Sequence, residues 1–231
     1  MLNARAVTIC AFGGVFLAQV LEGQGLSQYR NFTLRSDLAA VATLAGVTSA
    51  EAKTIHQRPA VLQDLEWRPS AWVPGSTSVS TDPVEQTVFS FYNDQLFRVV
   101  VNYGYDRTEG MTDTDMIEAI SAVYGTPVKR VRGTVRIASG VETESVSPVA
   151  RWGDSEHVVV LYRVSSYRDT FRLIVTDAAL DDLARKAAIR ATRLDEREAP
   201  SREIARQKKE RDDGRAATEK ARVANKAVFR P

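Results

Sequence analysis

The clearest hydrophobic pattern in the chain is an alternation of apolar and polar side chains over residues 87–103. The sequence TVFSFYNDQLFRVVVNY has apolar residues at alternate positions on both sides of a short polar break, Asn93-Asp94-Gln95. Such alternation predicts two antiparallel strands joined by a tight turn. We therefore expect a hairpin with one apolar face near the centre of the core.

The loop length of this hairpin decides its register, because opposed residues of an antiparallel pair point to the same face. A two-residue loop would pair Ser90 with Phe97 and mix polar with apolar residues. A three-residue loop keeps the faces separate and is the prediction, since a one-residue slip would expose the whole apolar set. The expected buried face contains Phe89, Phe91, Phe97, Val99 and Val101. The opposite face would contain Ser90, Arg98 and Asn102.

Two segments carry the start and stop signals of amphipathic helices. In the first, Ser36 is the expected N-cap, Asp37 lies in the first turn, and Gly46 ends the helix. In the second, Thr112 is the expected N-cap and Asp115 completes a capping box. The buried positions predicted for these helices are Leu38, Val41, Ala42 and Ala45, and then Met116, Ile117, Ile120, Val123 and Tyr124.

The order of predicted elements repeats along the chain. Strands are expected over 55–68, 128–138, 157–164 and 171–176, with a further strand around Val149 and Trp152. A capped helix, a strand near a tryptophan and a hairpin thus occur twice, over about residues 29–103 and 108–177. The sequence predicts an α+β domain over 26–177, in which two α-β-β-β-like units form one mainly antiparallel sheet with helices on one face.

The C-terminal part of the chain is helical in pattern and basic in charge. A narrow apolar stripe predicts a helix over 178–198, and Pro200 is expected to break it. The segment 199–231 is dense in charge and poor in apolar residues, so we expect a solvated helix or a disordered tail. From residue 183 onward there are 15 Lys and Arg residues against 8 Asp and Glu residues, although the whole chain has a net charge of only +2.

The first 25 residues have the layout of a secretory signal peptide. Arg5 precedes an apolar run over 6–21, which is shorter than the roughly 20 residues of a membrane span. Small residues at Gly23 and Gly25 permit cleavage near Gly25, so the predicted location is periplasmic or secreted. The alternatives are an uncleaved anchor, which would give the protein its only membrane contact, and a buried helix. Cleavage would also remove Cys10, and with it disulfides and cysteine-ligated metals.

Several motifs, in a fixed order, resemble a known group of proteins. They are Tyr29-Arg30-Asn31-Phe32, then AEAKTIHQRPAVLQDLEWRP over 50–69, FSFYNDQLFRVVVNY over 89–103 and RTEGMTDTDMIEAISAVYG over 107–125. Across about residues 29–177 the chain resembles uncharacterised exported α+β proteins of environmental bacteria. The resemblance implies export and a compact α+β domain, and it implies no function or site residue.

Motifs for catalysis or cofactor binding are weak in this sequence. His157 follows Ser155, but no G-x-S-x-G surrounds that serine, and no phosphate-binding glycine motif occurs. His56 is interpreted as a structural residue. A calcium site would need the acidic loop around Asp106, Glu109, Asp113 and Asp115, two of which already serve a helix N-terminus. We therefore predict no catalytic residue, no cofactor and no metal site.

The candidate partner-binding residues are one tryptophan and four arginines. Trp72 lies in a loop rich in Pro and Ser, and Arg98 lies on the second face of the hairpin. The other three are evenly spaced along one predicted strand face, where they could meet an anionic ligand: Arg130, Arg132 and Arg136.

Three function hypotheses follow from the sequence. The first is an exported non-catalytic binding or interaction protein of the bacterial envelope, whose partner would be an envelope protein or an anionic envelope polymer rather than nucleic acid. The second is a secreted hydrolase with a carboxylate pair. The third is a cytosolic polyanion binder with a buried N-terminal helix. An enzyme should have a deep pocket lined by acids with divergent pKa values, and a binding module a shallow face with Arg and aromatic side chains.

Overall fold

A computed structural model describes residues 25–69, 82–128, 135–139, 142–165, 168–228 and 230 of the chain. Its strands are β1 Gln28–Tyr29, β2 Phe32–Thr33, β3 Lys53–His56, β4 Leu62–Trp67, β5 Val84–Tyr92, β6 Gln95–Tyr103, β7 Val135–Ser139, β8 Glu142–Gly153, β9 His157–Ser165 and β10 Thr170–Asp177. Its helices are α1 Leu38–Ala45, α2 Tyr105–Thr108, α3 Asp113–Tyr124 and α4 Ala178–Val228, and Ser49–Glu51 form a 3₁₀ turn. Residues 1–24 of the predicted signal segment lie outside the described residues.

The fold is α+β, as predicted, and it is built from two similar units. Eight antiparallel strands form one sheet in the order β3-β4-β5-β6-β10-β9-β8-β7, while β1 and β2 form a separate hairpin. Each unit is thus a helix followed by a four-stranded meander, and the units join where β6 pairs with β10. Three strands per unit were expected. In the first unit, a turn at residues 58–60 splits the predicted strand 55–68 into β3 and β4. In the second unit, β7 is a fourth strand that pairs with β8, the strand of Trp152.

The central hairpin, β5–β6, has a two-residue loop rather than the predicted three-residue loop. Asn93 and Asp94 have φ values of 46° and 65°, and positive φ at both loop residues is typical of the type I′ turn, whose twist matches that of the flanking strands. Tyr92 pairs directly with Gln95. The prediction of the loop length is therefore wrong.

A β-bulge at Phe97 reconciles this short loop with separated faces. Ser90 pairs with Arg98, as predicted, but Phe91 pairs with Leu96, so Phe97 is the extra residue of β6. Leu96 is fully buried in the main core, whereas Phe97, 6% exposed, packs on the opposite face against Leu62, Leu180 and Ala184. The prediction that Phe97 shares a face with Phe89 is also wrong, because alternation alone does not reveal a bulge.

One face of the sheet, here called the α1–α3 face, carries the main core. Trp152 and Phe89 are fully buried there, and the rings of Phe32 and Phe89 have centroids 4.5 Å apart. The Nε1 of Trp152 donates a hydrogen bond to Ser121 Oγ of α3 at 3.2 Å. Each unit thus contributes a tryptophan to this face, since Trp67 of β4 is partly buried and also packs against the core.

The helices of this face begin and end close to the predicted residues. Asp37, rather than Ser36, is the N-cap of α1, since its Oδ1 accepts a hydrogen bond from Ala40 N at 2.7 Å. Gly46 ends α1 with a φ of 69°, a left-handed value that favours glycine. Thr112 and Asp115 form the predicted capping box of α3. Of the predicted buried positions, those of α1 and Met116 and Ile120 of α3 are buried, whereas Val123 is 36% exposed.

The opposite face, here called the α4 face, is crossed by α4 at one end of the strands. Leu180 and Ala184 pack on Leu62 and Phe97. Beyond this contact, four aliphatic side chains form a half-buried row across β5, β6, β10 and β9: Val88, Val100, Ile174 and Val160. The face that the sequence marked for a partner is thus partly occupied by the chain's own helix.

Helix α4 runs through Pro200, where the sequence predicts a break, and through Gly214. Arg202 spans the proline by pairing with Asp195 at 3.1 Å and with Glu198 at 2.6 Å. After Glu198 the helix is solvent-exposed on all sides, and ion pairs one turn apart support it. Within the described residues, no helix is both long and apolar enough to cross a membrane.

Candidate functional site

An apolar cavity beside the core, here called the seam pocket, lies where the two units meet on the α1–α3 face. It has a volume of about 290 Å³. It lies between α3, the end of β6, the middle of β10 and the β1–β2 hairpin. Its walls are formed by Tyr29, Arg30, Pro83, Tyr103, Arg107, Thr108, Met111, Met116, Ala119, Ile120, Val123, Tyr124 and Leu173.

The seam pocket has a buried floor and an exposed mouth. Leu173 of β10 and Met116 and Ile120 of α3 are almost fully buried and form the floor. Arg107 and Val123, both exposed, mark the mouth. The spacing of Met116, Ile120 and Val123 places them on one face of α3, so the stripe that the sequence predicts as core also lines this cavity. The exposure of Val123 follows from its place at the mouth.

Three tyrosines line the seam pocket. Burial raises the pKa of Tyr103 to about 12, and it also raises the pKa values of Tyr29 and Tyr124 well above the ordinary value. The phenols therefore stay protonated at neutral pH. Tyr124 Oη donates a hydrogen bond to Gln28 O at 2.8 Å, which ties α3 to the β1–β2 hairpin and fixes one wall of the pocket.

An ion pair holds the arginine at the pocket's edge. Arg30 donates two hydrogen bonds to Asp82, with N–O distances of 2.7 and 2.8 Å, in the paired geometry that favours Arg–carboxylate recognition. Asp82 also accepts a hydrogen bond from Val84 N at 2.9 Å. The hydrogen bonds from Arg30 lower the pKa of Asp82 in spite of its burial. Asp82 is therefore ionised at neutral pH and positions Arg30 against the ring of Tyr29.

A second cavity, of about 390 Å³, adjoins the seam pocket and is acidic. Asp82, Glu85 and Asp106 line it together with Arg107 and Arg168. This cavity is the best location for the carboxylate pair of a hydrolase. However, such a pair needs one carboxyl group whose pKa is raised, and each carboxyl group of the described residues with a clear shift has a lowered pKa.

Arg98 lies at a third cavity, of about 280 Å³, between α4 and the sheet. Its guanidinium forms an ion pair with Asp181 of α4 and lies 5.2 Å from the centre of the Phe97 ring. Arg98, a candidate for partner binding in the sequence, therefore binds the C-terminal helix of its own chain.

The other candidate residues are not brought together by the described part of the fold. Trp72, Arg130 and Arg132 lie outside the described residues. Arg136 lies on β7, the edge strand of the second unit, where its backbone pairs with Ser145 of β8. The sequence-derived proposal of three arginines on one strand face stays a prediction.

Metal sites and catalytic histidines receive no support from the described residues. No group of three or more His, Cys, Asp or Glu side chains that could hold a metal ion occurs among them. Asp115 caps α3, and Asp113 pairs with Arg163 at 2.7 Å. The loop before His157 is held by Asp154, whose carboxylate accepts hydrogen bonds from the backbone N–H groups of Glu156 and His157.

Sequence reasoning missed the seam pocket as a site. Its lining comes from segments that lie far apart in the chain, and each residue has an ordinary role in its own element. The one local signal was the placement of Tyr29, Tyr103 and Tyr124 at the ends of their elements, since a tyrosine there presents an apolar ring and a polar tip. Comparison with protein-family models, with curated proteins and with solved structures gave no match.

Proposed function

We propose that this chain is an exported, non-catalytic binding protein of the bacterial envelope, and that the seam pocket is its ligand site. The observation that carries the proposal is the pocket itself. At the junction of the two units, the interface between α3 and the sheet contains an apolar cavity of about 290 Å³ with an exposed mouth. Cavities of roughly this size, with apolar walls and a few polar groups, are the usual form of small-ligand sites.

The envelope location rests on the N-terminal sequence pattern. A charged residue, an apolar run of signal-peptide length and small residues near position 25 occur in the expected order. The partner or ligand is then a molecule of the periplasm or of the cell exterior. Catalysis by a carboxylate pair has less support, because the ionised Asp82 cannot act as a general acid at neutral pH.

The ligand site can be tested with a neutral fluorescent probe, N-phenyl-1-naphthylamine, whose emission rises in apolar surroundings. We expect saturable binding to the full chain. Ala119→Phe places a ring at the pocket mouth and should weaken binding by about tenfold or more. Glu118→Phe is the matched control, since Glu118 is exposed on the same helix and does not line the pocket. Equal binding by both variants would rule out the seam pocket.

Export can be tested by mass spectrometry of the protein from its native cells. The expected result is a mature N-terminus close to Leu26 in the periplasmic or secreted fraction. Intact Met1 in the soluble cytosolic fraction would contradict export and would leave the ligand site as a separate question.

A further inference from the structure

We propose that the outward side of α4 binds a linear anionic polymer through one row of basic side chains. The inference goes beyond the proposed function, since it concerns a second surface of the molecule and does not depend on the seam pocket. It is carried by the way in which the charges of α4 are sorted around the helix, and by how few ion pairs this row of side chains forms within the chain.

Nine lysine and arginine residues share one side of α4. Successive members are three, four, seven or eleven positions apart in the sequence, so a helix of 3.6 residues per turn places all of them within a sector of about 60°. At 1.5 Å per residue, the row is about 60 Å long. It is here called the basic stripe, and its members are Lys186, Arg190, Arg193, Arg197, Lys208, Arg211, Arg215, Arg222 and Lys226.

The basic stripe faces away from the sheet and is free of acidic residues. Between Lys186 and Lys226, all of which is described, the one other residue in this sector is Ile204. Every side chain of the sector is exposed. The buried positions of α4 are centred about 120° away around the helix. The stripe therefore meets solvent along its whole length and does not hold α4 against the sheet.

Ion pairs within the chain do not account for the basic stripe. Lys186 pairs with Asp182 and Arg222 with Glu219, whereas the other seven members form no ion pair among the described residues. Off the stripe, three of the five basic residues of α4 pair with nearby carboxylates. Like charges four positions apart destabilise a helix, and such pairs recur along the stripe. An external anion would remove this repulsion.

The form of the stripe favours a polymer chain over a lipid bilayer. A helix that lies on a bilayer inserts a face of large apolar residues next to its basic face. After residue 198, the larger apolar side chains of α4 are Ile204, Val223 and Val228, which lie on three different sides of the helix. A narrow row of cations matches instead a single chain of anionic groups, whose counterions are released when it binds.

The composition of α4 favours a polymer without bases over a single-stranded nucleic acid. Proteins that bind single strands stack the bases on aromatic side chains, and α4 contains no Phe, Trp, Tyr or His. Binding then depends on charge, and it should weaken steeply as the salt concentration rises.

Binding of fluorescently labelled long-chain polyphosphate to the full chain, followed by fluorescence anisotropy, tests the stripe. Lys208→Gln with Lys226→Gln removes two charges from the stripe. Lys209→Gln with Lys220→Gln is the matched control, since it removes two charges from another side of the same helix. All four lysines are exposed and form no ion pair among the described residues, and glutamine has a similar helix propensity.

We expect the stripe variant to bind polyphosphate about tenfold or more weakly than the wild type, and the slope of log K against log salt to become shallower by about 1.5. The control variant should stay within about twofold of the wild type. Circular dichroism should give the same helix content for both variants.

The contrary outcomes are distinct. Equal weakening by both variants would show that binding follows net charge and not the stripe, and the absence of saturable binding at low salt would also overturn the proposal. Tighter binding to phosphatidylglycerol vesicles, or to single-stranded DNA, than to polyphosphate at equal phosphate concentration would contradict a polymer without bases. N-phenyl-1-naphthylamine should bind both variants normally, so failure of this proposal leaves the seam pocket unaffected.

Discussion

The two faces of the sheet are built from the same strands but are covered in different ways. The α1–α3 face is packed under two short helices and buries aromatic side chains from both units. The α4 face meets a single helix at one end and leaves a row of valine and isoleucine side chains half-buried. In the central strands β5, β6, β9 and β10, one face is therefore more deeply buried than the other, and adjacent residues can be compared directly.

The largest difference between the faces should appear for two phenylalanines of the central hairpin. Phe89→Ala removes a ring from the aromatic cluster of the α1–α3 face and should lower the free energy of unfolding by about 3–5 kcal/mol. Phe97→Ala, at the edge of the cavity under α4, should cost about 2 kcal/mol, since its few neighbours can relax. Urea denaturation measures both. Equal losses would show that the α4 contact is as important as the main core.

A smaller difference is expected for two adjacent valines of β6. Val99 is fully buried on the α1–α3 face, and Val100 is half-buried on the α4 face. Val99→Ala should cost about 2 kcal/mol and Val100→Ala less than about 1 kcal/mol. Both residues lose the same two methyl groups and lie on the same strand, so strand propensity cancels. A loss at Val100 as large as that at Val99 would indicate that the α4 face is covered in solution.

Thr87 is the polar exception on the α1–α3 face. It is fully buried between Trp67 and Val101, and its hydroxyl has no hydrogen-bond partner among the described residues. Thr87→Val keeps the shape and removes the unpaired group, so the protein should become more stable by about 1 kcal/mol. Thermal denaturation provides the measurement, with Thr87→Ser as the control that keeps the hydroxyl. A destabilised valine variant would mean that the hydroxyl is paired in solution.

The smallest effect should come from Asp177, where β10 passes into α4. Burial raises the pKa of Asp177, but hydrogen bonds from Arg35 and from Leu180 N lower it by more, so the net pKa lies below the ordinary value of about 3.9. The ionised group therefore stabilises the fold above about pH 4, and this stability is lost as the pH falls through the folded-state pKa.

Asp177→Asn retains a good cap and loses only the charge. The variant should be slightly less stable than the wild type at pH 7, and the two should converge at pH 3. Urea denaturation at both pH values makes the comparison. A difference that grows towards low pH would contradict the assigned direction of the pKa shift.

The comparison of the faces also explains how far the sequence could predict the fold. Alternation in β5 and β6 identifies the two faces, and capping residues such as Thr112 and Asp115 locate α3 to within a residue, because both signals are local. The bulge at Phe97 is not visible in the pattern, since a large apolar residue is acceptable on either face once α4 covers one of them. Helix α4 continues through Pro200, and the ion pairs of Arg202 with Asp195 and Glu198 span the proline, whereas the rule that proline ends a helix considers the proline alone.

The candidate site also could not be predicted from local patterns, because its residues come together through contacts between distant parts of the chain. Tyr103 and Leu173 meet because β6 pairs with β10, a contact between residues about seventy positions apart. Tyr29 joins them from the β1–β2 hairpin, which a hydrogen bond from Tyr124 ties to α3. No pattern within one element specifies that pairing. The repeat of units predicts one shared sheet but not which strands join the units, and the gap left between α3 and the seam depends on side-chain packing.

Helix α4 has a consequence for how the whole molecule moves through water. Within the described residues, its last side chain paired with the body is Glu198, held by Arg58 at 2.8 Å. The thirty helical residues that follow would extend about 45 Å at 1.5 Å per residue, against a radius of gyration of about 17 Å for a compact chain of this length. The frictional drag on this 25.5 kDa protein is then that of a body with a projecting rod, so its diffusion is slower than its mass implies.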